Sequence, residues 1–116
     1  MQKATQDELK LYVLVRRDLP RSYRMVQGMH AAALYASRTN PYGSGYPDNW
    51  RADTGTIVSL LVNDEEHLIH IQNYMAKTIG VPVTSWREPD LDNELTAIAM
   101  LDRDHDNTML KALRLA

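Results

Sequence analysis

The alternation of apolar and polar positions is silent over residues 1 to 9, a polar lead-in, and first becomes organised at Leu11-Tyr12-Val13-Leu14-Val15. A short continuous apolar run of this kind suits a strand buried on both faces. Asp18-Leu19-Pro20 breaks it, and Ser22 is placed to cap a helix running to about Ser37. Within that helix Met25, Val26, Met29, Ala32, Ala33 and Ala36 recur at helical spacing, which predicts that this stripe packs inward. Residues 39 to 55 include Asn40-Pro41-Tyr42-Gly43-Ser44-Gly45-Tyr46-Pro47, turn formers without a period, and read as a long loop. Thr56 to Val62 is a second strand. Asn63 or Asp64 then caps a second helix, with Glu65 and Glu66 favourably placed against its N-terminal dipole and Gly80 just past its end. Pro82 to Trp86 and Leu95 to Leu101 read as two further strands, separated by the acidic turn Glu88-Pro89-Asp90-Leu91-Asp92-Asn93-Glu94. Asn107 is placed to cap a last short helix containing Met109, Leu110, Ala112 and Leu113.

The resulting order is β-α-β-α-β-β-α, without internal repeats or a break in composition. Strands joined through helices favour parallel pairing, and the short link between the last two favours an antiparallel pair. The expected fold is therefore α/β: a single domain over residues 1 to 116, built on a compact mixed sheet of about four strands with helices on both faces.

At 116 residues the chain can bury a core without a metal or disulfide staple. Zero cysteines exclude disulfides, thiol chemistry and Cys-ligated metal centres. The polar, charged start MQKATQDELK and the lack of any apolar run of membrane-spanning length point to a cytoplasmic protein with no membrane partner. A net charge of −2 argues against a nucleic-acid coat protein held by a generally basic surface. The charge is unevenly spread, however. Lys10, Arg16, Arg17, Arg21 and Arg24 fall in one early stretch, which leaves room for a local basic patch.

On a wheel of about 100° per residue, Met25, Met29, Ala32 and Ala36 lie on one side of the first helix and Arg24, Gln27 and His30 on the other. Two readings of His30 follow: an ordinary exposed histidine, favoured by spacing alone, or a proton-transfer group at a working surface. The acidic turn also has two readings. Glu88, Asp90 and Asp92 either solvate a turn, or one of them orients an imidazole or activates water while Thr96 holds that water or a substrate oxygen. His67 and His70 have metal-ligand spacing, but His70 sits with Glu66, Asn73 and Lys77 on a polar face opposite Leu68, Ile71, Met75 and Ile79, and both histidines read as surface residues. Asp102, Asp104 and Asp106 imitate a calcium loop, yet Asn107 and Leu113 stand where glycine and glutamate are needed. No metal and no cofactor is expected. Met25, Met29 and Met75 read as core filler, and Trp50 as a side chain anchoring the long loop or stacking on a base.

Together, Leu11-Tyr12-Val13-Leu14-Val15-Arg16-Arg17-Asp18-Leu19 and Val26-Gln27-Gly28-Met29-His30-Ala31-Ala32 resemble the opening of the type 2 peptidyl-tRNA hydrolases, where a strand ending in Arg-x-Asp-Leu leads to a helix bearing Gln-x-x-His-Ala-Ala. Trp86-Arg87-Glu88-Pro89-Asp90 followed by Leu95-Thr96-Ala97-Ile98-Ala99 is similar to the acidic-turn and final-strand region of a divergent bacterial and phage branch. The resemblance spans roughly residues 11 to 101. It implies a mixed sheet with helices on both faces, a homodimer, and hydrolysis of the ester joining a peptide to the 3′ end of tRNA. Gln27 and His30 match the helix motif, and Arg16 and Asp18 the strand end. Thr96 corresponds approximately to the threonine of the last strand, and Glu88 or Asp90 to the family's aspartate. Tyr23 stands where better-known members carry a lysine, and the loop before the helix is shorter.

The expected reaction centre is thus His30, Asp90, Thr96 and Gln27, with water attacking the ester carbonyl. Arg16, Arg21, Arg24, Asp18 and Glu88 would meet the substrate and its phosphates. A catalytically silent module of the same fold, recognising a nucleotide, an RNA end or a protein, is the alternative, and metal-dependent hydrolysis through His67 and His70 ranks last.

Overall fold

Five strands, β1 (Leu9–Arg16), β2 (Ile57–Val62), β3 (Thr84–Glu88), β4 (Glu94–Arg103) and β5 (Arg114–Leu115), form one sheet in the order β3-β4-β1-β2-β5 in the computed structural model, which describes residues 9–38, 55–103 and 108–116. The central strand β1, Leu9–Arg16, pairs in parallel with β2, Ile57–Val62, and antiparallel with β4, Glu94–Arg103. β3, Thr84–Glu88, lies antiparallel outside β4. The apolar run of β1 lies between two strands and under helices on both faces, which explains why it reads as continuous rather than alternating.

Alternate residues of β1 feed different layers. Leu11, Val13 and Val15 join Ala97, Ala99 and Leu101 beneath Ala31 and Tyr35 of helix α1, Arg21–Arg38. Tyr12 and Leu14 join Ile98 and Met100 beneath Leu68, Ile71 and Met75 of helix α2, Glu65–Asn73, and its continuation. Each fully buried leucine or isoleucine of these layers contributes on the order of 2 kcal/mol. Asp64 is the cap of α2, its carboxylate accepting from the His67 backbone N–H at 2.8 Å. Glu66, His70, Asn73 and Lys77 are exposed, as the polar face of this helix predicts.

The α/β class, the mixed sheet, the parallel β1–β2 pair and the antiparallel β3–β4 pair agree with the sequence pattern. Four details differ. The strand count is five, because the chain after the short helix α3, Thr108–Lys111, adds β5, Arg114–Leu115, to the outside of β2. α2 passes into a π-helical turn over Tyr74–Ile79 before Gly80 closes it in the left-handed conformation at φ 87°. Its i→i+5 pattern rotates Ile79 away from Met75, so Met75 is buried and Ile79 is 41% exposed. β3 begins two residues later than the pattern indicates and reaches Glu88.

The fourth correction concerns α1, whose predicted inward stripe faces outward. Met25 is 69% and Met29 63% exposed, and Val26, Ala33 and Ala36 are exposed with them. The buried positions are Gln27, Ala31 and Tyr35, with Gly28 close against β1: a Cβ there would stand 3.2 Å from Val15 Cγ1. A helix that approaches a sheet this closely seats small residues at the contact, and small residues add little to an apolar count. The lead-in up to residue 8, the predicted long loop up to residue 54 including Trp50, and the Asp104, Asp106 and Asn107 positions lie outside the described residues.

Candidate functional site

The inward face of α1 brings a glutamine to the sheet. Gln27 is 1% exposed, and a buried amide needs partners for both its ends. It has them. Its Nε2 donates to Glu88 Oε1 at 2.8 Å, and its Oε1 accepts from Thr96 Oγ1 at 2.5 Å. One hydrogen-bonded chain therefore links α1, the end of β3 and the start of β4.

Strand geometry supplies the other two members. Trp86 and Glu88 are two apart on β3 and so share the face beneath α1. Thr96 reaches that face by an irregularity: Trp86 pairs with Ala97 and Arg87 with Leu95, leaving Thr96 as the extra residue of a β-bulge. Simple alternation would place it with Ile98 and Met100 beneath α2, and the bulge re-aims it toward Gln27. After Glu88 the chain makes a short 3-10 turn, Pro89–Leu91, and Asp92 and Asn93 follow with φ of 52° and 61°, the left-handed region that Asp and Asn tolerate best among non-glycine residues. The Glu88 carboxylate caps this turn, accepting from the Asp90 backbone N–H at 3.2 Å.

Around this chain lies a partly exposed edge. The His30 ring stacks on Trp86 with centroids 4.3 Å apart and planes 10° from parallel. Glu88 is held below the usual carboxylate range, first by the Gln27 amide, then by the Asp90 N–H, with His30 adding to the effect against the cost of burial. Tyr23, one helical turn before Gln27, has its phenol pushed up by desolvation and by the charges of Glu88 and Asp90. Asp90 itself is exposed. Residues from distant parts of the chain thus converge: His30, Gln27, Glu88, Asp90 and Thr96.

The basic and strand-end residues of the predicted set lie elsewhere. Arg16 is buried and grips Asp18 with two hydrogen bonds of 2.9 Å each, donates to Glu94 Oε1 at 2.7 Å and reaches the Leu95 carbonyl at 3.2 Å. It pins the end of β1 to β4, and it holds the Asp18 carboxyl below its ordinary range. Arg24 donates to the carbonyls of Leu19 and Arg17 at 2.6 and 2.7 Å. Arg21 and Arg24 border hollows on the β2 side of α1, which no member of the Gln27 chain lines. His67 accepts from the Asn63 N–H at 2.9 Å, and His70 is exposed. Among the described residues no group of three His, Asp or Glu side chains is disposed to hold a metal, and no helix is long and apolar enough to cross a membrane.

Sequence reasoning underrated Trp86 and Tyr23. Both could have been found by extending from known members of the site along element periods: two residues back from Glu88 on a strand, four back from Gln27 on a helix.

No protein-family profile matches the chain, and no curated protein matches it. Among solved structures, it is similar to a protein of unknown function, Atu0240 from Agrobacterium tumefaciens strain C58, with a TM-score of 0.64 at 14% identity over 94% of this chain and 98% of that one. That likeness is one of fold.

Proposed function

We propose that the chain is a peptidyl-tRNA-hydrolase-like esterase, acting in the cytoplasm on the ester between a peptide and the tRNA 3′ end. The observation carrying this reading is the Thr96–Gln27–Glu88 hydrogen-bond chain with His30 stacked on Trp86 beside it. Four positions singled out by the family resemblance, far apart in sequence, meet at one edge of the sheet.

Burial divides the roles. Thr96 is 0% and Gln27 1% exposed, so both are positioning residues that act through Glu88 and do not touch substrate. His30, Asp90 and Tyr23 border the accessible edge, and Glu88, buried at 8% exposure, lies beneath them. In the proposed reaction, water attacks the ester carbonyl carbon, His30 accepts the proton of that water, and the bond to the ribose 3′ oxygen breaks as the His30 imidazolium passes that proton to it. Glu88, held ionised, orients the imidazole or the water and stabilises the imidazolium as it forms. Asp90 is the second carboxylate within the acidic turn. tRNA is the proposed partner, and a homodimer the proposed assembly.

Incubating purified protein with peptidyl-tRNA and with aminoacyl-tRNA tests this reading. Release of peptide from the former is expected, falling about a hundredfold or more in His30→Ala and in Glu88→Gln if these groups move and steady the proton. Full activity in both variants sinks the assigned roles. A second reading, a silent binding module, draws on the same burial: Gln27 and Thr96 fasten α1 to the sheet whether or not chemistry occurs. Folded protein that binds RNA but releases no peptide favours it over the esterase.

A further inference from the structure

We infer that the flank of α1 facing β2 is a second ligand site, one that takes a phosphate monoester carrying a compact apolar group. The inference is independent of the esterase reading. On this side of the sheet α1 packs over β1, β4 and β3, and the start of β2 is open: Ile57 is 57% exposed and Ser59 exposed, although their register partners Leu11 and Val13 on β1 are buried, while Leu61 is partly buried against the α1 layer. Two adjoining hollows open there, of about 500 and 470 Å³, sharing Arg24 and Leu61. This is the size of a small-molecule site.

Arginine side chains dominate their lining. Arg17, Arg24 and Arg114 line the first hollow, and Arg21 and Arg24 the second, where Ala116 adds the carboxylate of the last residue; no carboxylate side chain lines either. Among the described residues none of these four arginines forms an ion pair, whereas Arg16 is saturated by two carboxylates. Asp18 feels the charge of Arg24 but is committed to Arg16. In a chain of net charge −2, four guanidinium groups without an ion-pair partner among the described residues are a local attractor for anions.

The site is also organised in advance. Arg24 is anchored by its Nε and one terminal nitrogen to the carbonyls of Leu19 and Arg17, an arrangement that fixes the guanidinium without cancelling its charge and leaves its other terminal nitrogen unengaged. Guanidinium forks match phosphate oxygens, and several of them suit a dianion better than a monoanion. Beside them Met25 and Leu61 offer an apolar surface, and methionine adapts to irregular ligands. The charge sits in two hollows of small-ligand size with this apolar lining, which fits a small phosphorylated molecule better than an RNA backbone tracked over a long basic stripe.

Calorimetric and NMR titrations with phenyl phosphate, phenol and an RNA oligonucleotide lacking terminal phosphate test the assignment. Phenyl phosphate is expected to bind saturably, shifting amides of Arg24, Met25 and Leu61, and phenol not to bind. Arg24→Gln should weaken binding about tenfold, as loss of a charge-assisted phosphate contact does. Because Arg24 also ties two carbonyls, Arg21→Gln with Arg114→Gln, at exposed positions whose side chains have no partner among the described residues, supplies a second variant that keeps the fold and should weaken binding similarly. Arg87→Gln, on the opposite side of the sheet's centre, is the control and should change nothing. Equal weakening in the control, no saturation with phenyl phosphate, or displacement of phenyl phosphate by the oligonucleotide overturns the proposal; the last outcome identifies an RNA-backbone surface instead.

Discussion

Gln27 carries the site because its carboxamide has separate donor and acceptor ends, the Nε2 donating to the Glu88 carboxylate and the Oε1 accepting from the Thr96 hydroxyl across a helix–sheet contact. Replacing it with alanine removes both bonds and leaves Thr96 and Glu88 facing a void. Gln27→Ala is therefore expected to lower stability by about 2–3 kcal/mol, read from the urea midpoint. In the same variant the Glu88 carboxyl should titrate closer to its ordinary range, followed by carboxyl NMR, since its largest stabilising partner is gone. The sign of the pH effect follows from the direction of that shift. The folded state holds Glu88 below the ordinary carboxyl value of 4.5, so in the window below that value the unfolded chain binds more protons. Stability from Glu88 is complete above that window and is lost as pH falls through the folded value. Asp18, lowered by Arg16, acts with the same sign. The acid limb of a stability–pH curve should flatten in Glu88→Gln, and an unchanged limb would show that the Gln27 bond does not persist in solution.

At the scale of elements, α1 shows what a sequence pattern can and cannot reveal. The four longer strands, the two main helices, a cap at Asn63 or Asp64 and the Gly80 stop are written in local chemistry and are legible, whereas the two-residue β5 is not. The facing of α1 is not, because its two methionines outweigh Gly28 and Ala31 in any apolar count although the close helix–sheet approach requires the small pair. The position of Gln27 opposite the apolar stripe was legible, and its burial was not: a polar residue is counted as outward until its partners on β3 and β4 are known. Thr96 shows the same limit, since only the pairing of β3 with β4 reveals the bulge that turns it. The corrected facing makes a direct prediction. Met29→Gln, at a position 63% exposed, should change stability by no more than about 0.5 kcal/mol. Gly28→Leu, whose side chain would enter the space held by Val15 and Val13, should cost about 1–3 kcal/mol or more by overpacking. Chemical denaturation of the two variants in parallel decides between the inward and outward assignments of the methionine stripe.

The whole molecule is organised around β1, which is hydrogen-bonded on both edges and packed on both faces. Its register with β4 runs from Leu9↔Arg103 to Val15↔Ala97, and with β2 from Leu11↔Ile57 to Arg16↔Val62, while the Arg16 guanidinium ties its end to Asp18 and Glu94. β5 stands at the other extreme, a two-residue edge strand joined to β2 through Leu60 and Leu61, with Leu115 74% exposed. Opening β1 requires both layers of the core to separate, so its amides exchange only through global unfolding. β5 opens by giving up a few exposed hydrogen bonds. Native-state hydrogen exchange should therefore show the slowest amides in β1 and the facing residues of β4, intermediate rates in β2 and α2, and the fastest in β5 and α3. Gln27→Ala adds a discriminating step: by loosening α1 from β3 and β4 without touching β1 it should accelerate exchange at β3 and α1 more than the global stability loss accounts for. Uniform acceleration across all strands would mean instead that α1, β3 and the central sheet open as a single unit, and that the Gln27 chain stabilises the fold as a whole rather than fastening its site.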